Sequence, residues 1–211
     1  MKFSIKATIL GVMLVLSGTA FADFSANLGW QSDYYFRGIF QKSSSAQGGV
    51  DYEKSGFYVG AWAADVGGGS TGDGLEIDYY LGYGGETGDF AYGVGYTAYT
   101  YTGDFDDTYQ EVNFSGGFSF VTLDIALGEY ENFGGPTLDY QFYSLTAEYK
   151  GFWGQYGAFD DDFDGDYYQI GYETSVADFD VGISLLYSDE TLIGTSEEAL
   201  IFSLGKTFDI Q

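Results

Sequence analysis

From residue 23 onward, apolar and polar residues alternate with a period of two, in segments of roughly eight to ten residues. Phe24, Ala26, Leu28 and Trp30 interleave with Ser25, Asn27, Gly29 and Gln31. Leu75, Ile77, Tyr79, Leu81 and Tyr83 interleave with Glu76, Asp78, Tyr80 and Gly82. The spacing recurs at Val121, Leu123, Ile125 and Leu127, at Phe179, Val181, Ile183, Leu185 and Tyr187, and at Leu200, Phe202 and Leu204. Successive side chains of a strand point to opposite faces, so each segment has one apolar and one polar face. No segment shows helical periodicity. Twelve strands are predicted, over 24–36, 46–53, 57–65, 75–84, 90–101, 109–117, 120–130, 140–149, 152–159, 166–173, 179–188 and 199–208.

The connections alternate in length. Lys54-Ser55-Gly56, Gly85 to Asp89, Gly117 to Ser119, Lys150-Gly151 and Thr174 to Asp178 are short, whereas 37–45, 66–74, 102–108, 131–139, 160–165 and 189–198 are long. An even strand number with both termini on the short side is the pattern of an outer-membrane barrel with short periplasmic turns and longer external loops. A secreted β-sandwich also alternates in short strands, but its buried face is a core of Val, Ile and Leu. Here one face mixes Tyr, Phe, Trp, Leu and Gly, and the other carries Glu76, Asp78, Glu111, Asn113, Asp124, Glu148, Gln169 and Glu173 in mid-strand. Lipid outside and a wet lumen inside suit those two faces. In lipid, only a closed barrel satisfies the hydrogen bonds of every strand. The expected fold is therefore all-β, a closed antiparallel transmembrane β-barrel forming a single domain over 23–211.

The first 22 residues read as an export leader. Lys2 and Lys6 form a positive start, Ala7 to Leu16 is mostly apolar, and Ala20-Phe21-Ala22 is a cleavage site. Export without cysteine rules out disulfide staples; the 33 Gly and 20% aromatic residues suit turns, strands and an interfacial belt. Because Lys2 and Lys6 leave with the leader, the 32 acidic residues face only five basic ones. So acidic a surface excludes nucleic-acid binding, which needs clustered Lys and Arg. The expected partners are outer-membrane lipid and lipopolysaccharide, with small hydrophilic solutes or cations in the lumen; a homo-oligomer is left open.

Ser32-Asp33-Tyr34-Tyr35-Phe36-Arg37-Gly38-Ile39-Phe40-Gln41 resembles the opening SDYxFRGxSQ of the TorF-type porin family of Proteobacteria. Gly49-Val50-Asp51-Tyr52, Ser55-Gly56-Phe57-Tyr58-Val59-Gly60 with Trp62, and Leu75-Glu76-Ile77-Asp78-Tyr79-Tyr80-Leu81-Gly82-Tyr83 extend the likeness. Phe40 stands where that family has Ser, and the chain ends Phe208-Asp209-Ile210-Gln211 rather than on an aromatic residue. The resemblance implies an outer-membrane barrel described as a porin and supplies no substrate.

With neither His nor Cys, the sequence excludes His-based triads, thiol nucleophiles and His-ligated zinc. Close carboxylate pairs are expected by chance among so many acids, and the chain is read as a non-enzyme. Asp160, Asp162, Asp164 and Gly165, with Asp166, match the first half of a calcium loop, but Gly171 replaces the closing Glu. The two readings are a weak calcium site at Asp160, Asp162, Asp164 and Asp166 and a solvated anionic loop. Asp104, Asp106 and Asp107 read as solvated loop, and Trp30, Trp62 and Trp153 as wall or belt aromatics.

Arg37 is the only arginine. Alternation from the first strand places Phe24, Leu28, Trp30, Tyr34 and Phe36 toward lipid. It places Asn27, Gln31, Asp33, Tyr35 and Arg37 toward the lumen, with Arg37 at the outer mouth. A guanidinium there would bind nearby carboxylates and narrow the entrance, the contrary reading being an arginine in a loose loop without a partner. The expected pore-lining set is Arg37, Asp33, Glu76, Asp78, Glu111, Asp124 and Glu173. Together these features predict a porin for passive diffusion of small hydrophilic solutes with a preference for cations. The rival is a non-conducting barrel with an adhesive or surface-structural role through its acidic loops.

Overall fold

The computed structural model describes residues 23–68 and 72–210, so the expected leader lies outside the described residues. The strands are β1 (Asp23–Phe36), β2 (Ile39–Lys54), β3 (Phe57–Gly67), β4 (Asp73–Thr87), β5 (Phe90–Tyr101) and β6 (Tyr109–Phe118). They continue as β7 (Val121–Tyr130), β8 (Leu138–Tyr149), β9 (Phe152–Asp161), β10 (Gly165–Val176), β11 (Phe179–Ser188) and β12 (Glu197–Ile210). Each pairs antiparallel with its sequence neighbours, and β12 pairs with β1, which closes a twelve-stranded barrel. All twelve predicted strands are present, most of them longer than the alternation indicated.

At one end, here the turn end, the connections are tight. Ser55-Gly56 and Lys150-Gly151 take φ of 53° and 85° in both turns, and Ala177-Asp178 take 51° and 65°. Two successive positive φ values make a turn whose twist matches that of the flanking strands. The opposite, loop end carries the longer connections and one helical turn, α1 (Glu190–Ile193), which the sequence pattern did not indicate. Asp189 caps it, accepting from the Thr191 amide at 2.8 Å, an interaction that holds its carboxyl below the usual range.

The outer surface is apolar. Val59, Leu81, Val94, Leu123, Ile125, Leu145, Ile170, Val181, Ile183 and Leu204 are exposed around the wall. Toward the turn end, Phe24 packs on Tyr52 at 4.7 Å and Phe152 on Tyr172 at 4.7 Å, with Phe57, Phe90, Phe118 and Phe179 exposed alongside. On the other side of the aliphatic zone Tyr156 lies against Tyr168 at 4.9 Å, with Tyr187 exposed next to them. An aliphatic zone between aromatic girdles is the surface a barrel presents to a bilayer.

Glycines and aromatics serve a second purpose inside. In the register pairs Gly60–Tyr80, Gly82–Tyr58, Gly128–Tyr140, Gly157–Tyr167 and Gly171–Trp153, a Cβ on the glycine would lie 2.2–2.6 Å from the ring group opposite. Each inward ring therefore lies flat over a backbone that only glycine leaves bare. Trp62 pairs with inward-facing Asp78, and Trp153 faces inward over Gly171. Of the three tryptophans expected on the wall or belt, only Trp30 faces outward. Strand parity fixes the face of a ring, whereas aromatic character alone does not.

Candidate functional site

The first hairpin departs from the wall. β1 pairs with β12 only from Phe24↔Ile210 to Gln31↔Ser203, and β2 with β3 only from Lys54↔Phe57 to Gln47↔Ala64. Beyond those points, β1 and β2 continue paired with each other as far as Phe36↔Ile39. The expected long connection 37–45 is therefore incorrect: Arg37-Gly38 is a two-residue turn with φ of 49° and 83°, and the serine-rich stretch after it is strand. Polar composition suggested a loop because this strand leaves the wall, with Ser43 and Ser44 exposed, so it has no need of an apolar face toward lipid. A bulge leaves Gln41 opposite no residue, and Ser44 has a φ of 58°. Both irregularities bend the ribbon where it leaves the sheet.

The ribbon crosses the lumen. Arg37 reaches β6, five strands around the barrel, and its Nη1 and Nη2 donate to the two carboxylate oxygens of Glu111 at 2.8 and 2.7 Å. The Arg37 side chain is 11% exposed and that of Glu111 is fully buried, which excludes the loose-loop alternative. Its guanidinium also lies 4.1 Å from the Phe142 ring centroid and 4.9 Å from that of Phe36. Glu111 further accepts from Tyr99 at 2.7 Å, Tyr140 at 2.9 Å and Asn113 at 2.6 Å. A buried ion pair is sustained only when its remaining hydrogen-bonding capacity is met, and five donated bonds meet it here.

Other contacts hold the rest of the ribbon. Tyr34 donates to Glu76 at 3.1 Å, Tyr35 donates to Glu197 at 2.7 Å, and Ser188 donates to the Gly38 carbonyl at 2.6 Å. Lys42 pairs with Asp73 at 2.9 Å and Asp65 at 3.2 Å. On one side Tyr34, Ala64 and Val66 pack with Phe36, Trp62, Tyr101 and Phe105. On the other, Tyr35 joins Ala126, Tyr140, Phe142, Phe159, Tyr167, Leu186 and Ile201. Tyr34 and Phe36 are thus inside, not toward lipid as alternation placed them, because parity assigns faces only while a strand stays in the wall. Gly38 is tightly enclosed: a Cβ there would stand 2.8 Å from Tyr167 and 2.9 Å from Leu192.

The expected pore-lining residues separate by depth. Glu76, Asp78 and Glu111 are buried beneath or beside the hairpin, and Asp78 Oδ1 has no hydrogen-bond partner among the described residues. Asp33 accepts from Ser43 at 2.8 Å within the hairpin, away from the Glu111 cluster. Asp124 and Glu173 face inward nearer the turn end and are half-buried. They line a vestibule with Asn113, Ser115, Thr146 and Gln155, half-buried likewise. Lys42 and Glu197 escaped the sequence reading, which placed Tyr35 toward the lumen but Tyr34 toward lipid, although the Arg-Gly dipeptide is a signal for a tight turn.

The four aspartates of the candidate calcium loop each bind elsewhere. Asp160 accepts from the Asp161 amide, Asp162 from that of Asp139, Asp164 from that of Gly165, and Asp166 from the Tyr156 hydroxyl. No group of three or more acidic residues suited to a metal ion occurs among the described residues. Asp106 and Asp107, read as solvated, organise their loop: Asp106 accepts from Tyr109 at 3.0 Å and Tyr130 at 2.8 Å, and Asp107 from the Phe133 amide.

Solved structures share this architecture. The KdgM porin has a TM-score of 0.56 at 7% identity, with 89% of this chain and 99% of that one covered. The KdgM porin in complex with disordered oligogalacturonate gives 0.54 at 6% identity, over 90% and 99%. A membrane protein from a study of in-meso crystallization gives 0.54 at 11%, over 89% and 84%. At such identities the likeness is one of fold. No curated protein sequence matches the chain. The profile of a family described as "Bacterial protein of unknown function (Gcw_chp)" matches residues 17–182, and by that match the chain belongs to the Gcw_chp family.

Proposed function

We propose that the protein is an outer-membrane porin-like channel for the passive passage of small hydrophilic solutes, with a preference for cations. The observation that carries this reading is the acidic inner wall: Glu76, Asp78, Glu111, Asp124 and Glu173 face inward with Arg37 as their cationic neighbour, inside a closed barrel with an apolar exterior. Carboxylates within a low-dielectric wall focus a negative field, and rings of Asp and Glu select cations in channels. The fold similarity to porins supports a channel rather than an enzyme, and the absence of His and Cys leaves few catalytic options. In this reading the turn end is periplasmic and the loop end external. The hairpin covers Glu76 and Glu111, which are 0% and 1% exposed, so these two carboxylates act on a passing ion through their field rather than by contact while it stays there.

The test is planar-bilayer recording of the refolded chain from Asp23 onward. Single-channel steps are expected, with a cation-directed reversal potential in dilute salt. The preference should fade as the screening length falls towards about 3 Å at 1 M. Anion preference, or no current at any potential, overturns the proposal.

A further inference from the structure

We infer that the β1–β2 hairpin has a second seat, in the barrel wall, and that moving between the two seats opens and closes the lumen. The gating half of this inference rests on the channel reading; the second seat does not. Its ground is a pair of strand edges that the hairpin leaves outside its ladder, touching them where Phe202 N donates to Ser32 Oγ and Ser45 Oγ donates to the Asp65 carbonyl. β12 stays paired with β11 as far as Ser188↔Glu197, yet its pairing with β1 stops at Ser203. β3 stays paired with β4 as far as Gly67↔Asp73, yet its pairing with β2 stops at Ala64. Two edges therefore flank a notch two strands wide, and the hairpin contains two strands.

Extending the registers across the notch shows how well the hairpin fits there. Tyr34 would fall opposite Leu200, Tyr35 opposite Ala199, Phe36 opposite Glu198 and Arg37 opposite Glu197. On the other edge Ala46 would fall opposite Asp65 and Ser45 opposite Val66. In that seat Tyr34 shares the outward face of the exposed Leu200, and Arg37 exchanges Glu111 for another inward carboxylate, Glu197. The alternation along β1, which the lumenal position contradicts, is the alternation a wall strand requires. Tyr35 already donates to Glu197, at the near end of this path.

The means of movement are local. Ser43-Ser44-Ser45 lies where the ribbon leaves the sheet, with Ser44 at a φ of 58° and the Gln41 bulge just beyond. The lumenal seat is held by hydrogen bonds, ion pairs and ring packing, which exchange without breaking a covalent bond. Arg37 and Lys42 give the hairpin two of the five basic residues from Asp23 onward, so an applied potential exerts a force on it.

The experiment uses Phe36→Cys with Glu198→Cys in a chain that has no native cysteine. Phe36 lies against Tyr99 of β5 in the lumenal seat, at 5.2 Å between ring centroids, and opposite Glu198 only in the wall seat. Directly paired strand residues lie within disulfide reach. Leu28→Cys with Lys206→Cys, register partners in the observed barrel, is the control for oxidation. Bridging of the Phe36→Cys/Glu198→Cys pair under applied potential, seen by gel mobility, and a several-fold higher conductance when oxidised than reduced, are the expected results. Failure to bridge while the control bridges overturns the second seat. A bridge that leaves a measurable conductance unchanged overturns the gate. A bridge without current in either form supports the second seat and counts against the channel reading.

Discussion

Arg37 and Glu111 are 74 residues apart in sequence and joined by both arms of the guanidinium fork, so that the first turn of the chain is fastened to the opposite side of the barrel. Glu111 also gathers the hydroxyls of Tyr99 and Tyr140 and the amide of Asn113. Removing either charge leaves the other buried without its counterpart.

Arg37→Ala should therefore destabilise the lumenal hairpin by about 3–5 kcal/mol, the usual cost of breaking a buried ion pair from one side. Conductance should rise and cation selectivity should increase, because the carboxylates lose their cationic neighbour. Reversal potentials and single-channel amplitudes check this. Wild-type values for both would remove Arg37 from any part in permeation.

Gly38→Ala should unseat the turn by sterics alone. Its φ of 83° disfavours a side chain, and the added methyl would meet Tyr167 at 2.8 Å. A cost of roughly 1–3 kcal/mol is expected from overpacking. Faster hydrogen exchange at the amides of 39–46, with the wall strands unaffected, is the signature. Unchanged exchange would mean that Tyr167 and Leu192 yield without cost.

Asp124→Asn with Glu173→Gln tests the vestibule. Both residues are half-buried and neither belongs to the Arg37–Glu111 ion pair that holds the hairpin, so barrel stability should move by no more than about 0.5 kcal/mol each. The ratio of cation to anion permeability should nevertheless fall in dilute salt and converge with wild type in concentrated salt. A ratio unchanged in dilute salt would confine selectivity to the Glu76–Asp78–Glu111 level.

Orientation is tested by labelling with a membrane-impermeant thiol reagent. Gly134 is a suitable loop-end site, since a side chain there meets nothing within 4 Å, whereas at Gly165 it would collide with the Leu192 backbone. Gly134→Cys should label on intact cells and Ser55→Cys, at the turn end, should not. The reverse result would invert the barrel.

Much of the barrel can be read from the sequence because its determinants are local. Period-two alternation in Leu75 to Tyr83 or Phe179 to Tyr187 assigns faces without knowledge of any partner strand, and the order of short and long connections gives antiparallel neighbours. The inward placement of Glu76, Asp78, Glu111, Asp124 and Glu173 follows from the same parity.

The hairpin is where local rules end. Nothing between Ser32 and Ala46 states that this ribbon leaves the sheet, because the cause lies elsewhere in the chain. It lies in a carboxylate on β6, a ring on β8, a serine on β11 and the space left by inward-facing glycines. Alternation is energetically meaningful only where lipid lies on one face and the interior on the other, and a ribbon that leaves the wall is no longer set between them. The sequence by itself determined a twelve-stranded closed barrel with an acidic interior. Only the tertiary structure decided that Arg37 crosses to Glu111 on β6 rather than standing at the mouth, since a charge seeks its counter-charge through space and not along the chain.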